Sequence, residues 1–155
     1  MNNQPKYEPL SIRANMAWNA IGSIVNLGCQ WLISILVVRL STGFDDAGLY
    51  SLAVAIYGVF APIGQYRMYT IQISDINGEN TLGEYLSLRL LTNAIAFVLL
   101  IVYAVITVSP YAVLITIAYS IYRLLALTID VFHACDQSNH RMDFIGKSLI
   151  LQGLL

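Results

Sequence analysis

The stretch RANMAWNAIGSIVNLGCQWLISILVVR, Arg13 to Arg39, is an apolar run closed at each end by an arginine. It exceeds the roughly 20 helical residues that cross about 30 Å of hydrocarbon. It nevertheless carries Asn15, Asn19, Asn26 and Gln30, amides that lose their water partners in lipid and must find protein ones. On a helix of 3.6 residues per turn, Asn15, Asn19, Gly22, Asn26 and Gln30 fall within an arc of about 80°. One face of this helix therefore meets something other than lipid. Two uses fit that face: hydrogen bonds to a neighbouring helix, at about 0.6–2 kcal/mol each, or the lining of a hydrated cavity.

Composition places this run in a membrane protein. The chain of 155 residues is 57% hydrophobic and only 11% charged, about half the charged fraction of an ordinary soluble domain. So few charges cannot cover a soluble surface. The net charge of −1 says nothing about orientation, which follows where Lys and Arg sit. No basic stripe with interleaved aromatics is present, so a nucleic-acid partner is not expected. Cys29 and Cys135 are far apart in the expected topology, which argues against a disulfide. The segment MNNQPKYEPLSIR has no convincing cleavage site after it, so the first run reads as a retained anchor.

Four runs are long enough to span: 16–38, 48–70, 88–108 and 111–132. A fifth begins near Ser148, and SLILQGLL stops after about two turns, too short to cross a bilayer. Asp45 and Asp46 precede the second run, where carboxylates favour a helix N-terminus. Thr81 to Glu84, TLGE, has the spacing of a capping box, so the third helix is expected to start before it enters the membrane. Ser109–Pro110 suits an N-cap followed by a first-turn proline, making the third and fourth helices a tight hairpin. Pro62 is expected to kink the second helix, and Gly58, Ala61 and Gly64 read as a close-packing face. Lys6, Arg13, Arg89, Arg141 and Lys147 lie on one side of this topology and Arg39 on the other. The positive-inside rule then puts the N-terminus in the cytoplasm, and Tyr50, Tyr69, Tyr85 and Tyr111 fall near the interfaces.

Charges inside the runs narrow the search for a site. Arg123 lies about 18 Å along the fourth run, where insertion costs about 2.5–3.5 kcal/mol. It should face protein or water, with a functional role as the default. Asp130 is seven residues further, about 10 Å along the axis, too far for a simple ion pair and near enough to the surface to be an interfacial residue instead. Arg67 can either snorkel to the headgroups or join a cavity, and Arg39 and Arg89 read as interface anchors. No phosphate loop, dinucleotide fingerprint or nucleophile elbow appears. His133, Cys135 and His140 in HACDQSNH make only a weak metal pattern. No enzyme, cofactor or metal is expected.

GLYSLAVAIYGVF from Gly48, EYLSLRLL from Glu84 and DQSNHRMDFIGKSLILQGLL from Asp136 together resemble the amino-terminal third of bacterial polysaccharide flippases. These are the O-antigen and capsule repeat-unit exporters of the multidrug/oligosaccharidyl-lipid/polysaccharide exporter superfamily. The resemblance runs from about Arg13 to Leu155 through order and spacing, with no single decisive motif. It implies an all-α, multi-pass bundle with four complete spans and the start of a fifth, part of one bundle of a two-bundle transporter. The expected role is moving undecaprenyl-pyrophosphate-linked oligosaccharide across the bacterial inner membrane by alternating access, with polysaccharide assembly proteins as further partners. Arg123 and Arg67 would hold anionic groups, Asn15, Asn19, Asn26 and Gln30 would line the path, and Asp130 would stand beside it. With its fifth run unfinished, the chain is expected to be an amino-terminal fragment, from a truncated gene or a partial record, and not to transport alone. A multidrug or cation exporter of the same superfamily would use acids in its path, for which only Asp130 qualifies. A small structural membrane protein is the other alternative.

Overall fold

A computed structural model describes residues 8–41, 44–75 and 78–154. Lys6 and Leu155 lie outside the described residues. Six helices follow in order: α1 (Ile12–Leu40), α2 (Phe44–Gln65), α3 (Met68–Ser74), α4 (Leu82–Thr107), α5 (Pro110–Ser138) and α6 (Met142–Leu154). No strand occurs among the described residues. Four segments are long and apolar enough to cross a membrane: Ile12–Leu40, Asp45–Ser74, Leu82–Thr107 and Pro110–Ser138. The chain is thus an all-α multi-pass bundle of the kind its composition requires.

Local chemistry sets the helix ends. Ser11 caps α1 by accepting the Ala14 N–H. Thr81 and Glu84 form the reciprocal capping box that opens α4, six residues ahead of the apolar run at 88. Ser109 caps α5 with Pro110 in its first turn, so α4 and α5 make the short hairpin expected.

The helices divide into two groups. α2, α4 and α5 pack on one another, with α3 folded against α5; α1 pairs with α6, which also touches α5. Ile56, Tyr57, Ala61 and Leu100 form one buried cluster, and Met68, Tyr85 and Val131 another. Ala96 and Ala104 on α4, and Ala112, Thr116 and Ser120 on α5, are also buried. Small residues at four-residue spacing let helices approach where lipid provides no hydrophobic drive for association. Large apolar side chains such as Leu27, Trp31, Val98 and Leu125 stay exposed on the outer faces.

Three features depart from the sequence reading. Pro62 lies inside α2, and a break that the sequence reading did not expect falls one turn later, at Tyr66 and Arg67, which have φ of 41° and 48°. The second run is thereby split into α2 and α3. Groups on α4 meet the free end of α2: Arg89 Nη1 donates to Gly64 O at 2.7 Å and Gln65 O at 2.9 Å, and Thr92 Oγ1 stands 3.1 Å from Gly64 O. Arg89, only 1% exposed, therefore caps the C-terminus of α2 and neutralises its negative dipole end; it is not an interface anchor. The helix of the expected fifth run, α6, starts at Met142, six residues before the apolar run near 148, with Asp143 in its first turn neutralised by Arg141 and Lys147. Finally, Ala61 and Gly64 pack closely as expected, whereas Gly58 faces open space.

Candidate functional site

The amide stripe of α1 has two destinations. At the end holding the N-terminus of α1, Asn15 Nδ2 donates to Leu10 O at 3.2 Å and His140 O at 3.0 Å, and Asn15 Oδ1 accepts the Met142 N–H at 2.9 Å. One side chain thus fastens the start of α1 to the α5–α6 turn. Further along, Asn26 Nδ2 donates to Leu149 O at 2.9 Å. Between them the two backbones approach so closely that a Cβ on Gly22 would stand 2.6 Å from Gly146 Cα. Asn15, Gly22 and Asn26 therefore hold α6. Asn19 is exposed.

Gln30 continues the stripe into a different setting. Its Nε2 donates to Asn26 Oδ1 at 2.7 Å, and the residue borders a cleft of about 490 Å³ between α1, α2 and α5. Ser34 on α1, Tyr50 and Ser51 on α2, and Tyr119, Tyr122 and Arg123 on α5 complete its polar and aromatic wall. Tyr119 meets both Tyr50 and Tyr57 edge-to-face, at centroid distances of 5.8 and 5.7 Å. Arg123 Cζ lies 5.6 Å from the Tyr57 ring centroid, a cation–π contact that holds the charge at the wall.

Arg123 makes no ion pair among the described residues, and its buried Nε has no hydrogen-bond partner. A partly buried guanidinium without a carboxylate partner can take an anion, because its planar fork matches carboxylate and phosphate oxygens. Asp130 does not supply that partner: its carboxylate sits 3.7 Å from His133 Nδ1, while His133 Nε2 is 2.9 Å from Ser148 Oγ. Arg67 is exposed at the α2–α3 break and is not part of the cleft wall. The structure thus brings Gln30 and Arg123 together and leaves Asn15, Asn19, Asn26, Arg67 and Asp130 elsewhere.

The tyrosine wall is the part that sequence reading missed. Tyr50 reads as an interface residue, and the sequence reading assigns no role to Tyr57 or Tyr119. The available signal is helical spacing: Tyr50 and Tyr57 are two turns apart, and Tyr119, Tyr122 and Arg123 share one face at i, i+3 and i+4. Among the described residues no cluster of His, Cys, Asp and Glu is arranged to hold a metal ion.

Fold and site together define a multi-pass membrane-type helical bundle with a cationic, tyrosine-walled cleft. No protein-family model, curated protein or solved structure matches the chain.

Proposed function

We propose that this chain forms part of the path by which a bacterial flippase moves undecaprenyl-pyrophosphate-linked oligosaccharide across the inner membrane, with the N-terminus cytoplasmic. One observation carries the reading: Arg123, at depth and without an acidic partner, shares a cleft with Gln30 and tyrosines. Each group suits a different part of such a ligand. The guanidinium pairs with phosphate or acidic-sugar oxygens. The Gln30 amide and tyrosine hydroxyls exchange hydrogen bonds with sugar hydroxyls, and tyrosine faces offer flat apolar area to the C–H face of a sugar ring. The resemblance carried by the stretches from Gly48, Glu84 and Asp136 points to the same ligand class.

The test is export in cells that depend for their polysaccharide on an intact transporter containing this chain as its amino-terminal part. Arg123→Ala is expected to abolish surface polysaccharide while membrane levels of the protein stay unchanged. Normal export by that variant would overturn the assignment.

A further inference from the structure

We propose that the α2–α3 break is a conformational switch: Arg89 and Thr92 hold it bent, and their release joins α2 and α3 into one continuous helix. Competition for two carbonyls supports this. In a continuous α-helix the N–H of Met68 would bond Gly64 O, and that of Tyr69 would bond Gln65 O. Here Arg89 takes both carbonyls, with the Thr92 hydroxyl also within reach of Gly64 O. The Thr92 hydroxyl has one proton and also lies 3.1 Å from Arg89 O, so the Arg89 guanidinium is the main occupant of both carbonyls while the clamp is closed. Straightening brings the Met68 and Tyr69 N–H groups to the same two oxygens, so the two arrangements compete for them.

The bent form also carries its own tension. Tyr66 and Arg67 both occupy the left-handed region, unfavourable for side chains that bear a Cβ and relieved on straightening. The α3 N-cap, Arg67, gives no side-chain hydrogen bond to the helix it opens. Within the clamp, Arg89 Nε is buried without a partner, so the guanidinium is held by one edge only. Against this, Gln72 Nε2 donates to Val131 O at 2.9 Å and the Tyr69 hydroxyl donates to Gln137 Oε1. Straightening breaks both contacts and lifts α3 from α5, opening the bundle at the end where α5 meets α6.

Spin labels at Leu52 and Ile71 read the angle directly. Both are exposed, at 37% and 51%, and in a continuous helix they stand about 28 Å apart along the axis, at 1.5 Å per residue. With Cys29 and Cys135 replaced by Ala, the full chain in lipid nanodiscs is expected to show a dominant shorter distance and a minor one near that length. Arg89→Gln should raise the ratio of long to short by about ten-fold, the scale of losing a hydrogen bond to a charged donor. The pair Tyr66→Gly and Arg67→Gly should abolish the long distance, since glycine adopts positive φ without strain. Thr92→Val, a milder loosening of the clamp, should move the ratio in the same direction as Arg89→Gln and guards against a misfolded arginine variant. A single short distance in the parent, Thr92→Val and glycine forms alike would overturn the switch.

Discussion

At the level of single residues, polar groups within the apolar chain differ in what they hold. Asn26 donates to the Leu149 carbonyl, so Asn26→Leu should weaken docking of α6 by about 1 kcal/mol, seen as a lower unfolding midpoint in detergent. Gly22→Val should cost more, about 1–3 kcal/mol, because the added carbons collide with the Gly146 backbone. Gly58→Ala, inside α2 at a position with open space, serves as the clash-free control and should stabilise by up to about 1 kcal/mol. Asp143 supplies a pH test. Its carboxylate receives Arg141 Nε at 2.8 Å and Nη2 at 3.0 Å, and this pairing, with Lys147 adding to it, holds its pKa below the ordinary carboxylate value. A depressed pKa contributes stability that is complete above the unfolded-state value and is lost as pH falls through the folded one. Thermal unfolding should therefore shift down through the acid range in the parent, and Asp143→Asn should flatten that portion of the profile. An unchanged profile in the variant would show that the pair contributes nothing.

At the level of elements, helix ends and spans were legible because their causes are local. The apolar runs, the TLGE box and Ser109–Pro110 each sit within a turn of the feature they set, and Thr81→Ala should cost about 1 kcal/mol as a lost cap. The break after Gln65 was not legible, because neither Tyr66 nor Arg67 is a turn-forming residue and the stabilising groups, Arg89 and Thr92, lie on another helix. The start of α6 was hidden by charge: Arg141, Asp143 and Lys147 look like a loop until their mutual neutralisation is seen. The α1 stripe was legible as a face but its partner was not. Asn15 and Asn26 proved to face α6, and only Gln30 reaches the cleft.

At the level of the whole molecule, the pairing of α1 with α6 and the packing of α2, α4 and α5 leave a cleft where the two groups meet. Arg123 stands on its wall, braced by Tyr57. The proposed function rests on the position of that cationic cleft within a membrane-type bundle, and the proposal yields a direct binding test. The purified chain in nanodiscs should be photo-crosslinked by a lipid-linked oligosaccharide bearing a reactive group on its sugar, with adducts mapping to the α1, α2 and α5 walls around Arg123. Arg123→Ala should reduce the yield by about ten-fold or more, the scale of losing a charge-assisted contact. Equal crosslinking of the Ala variant, or adducts confined to the outer lipid-facing surfaces, would contradict the account.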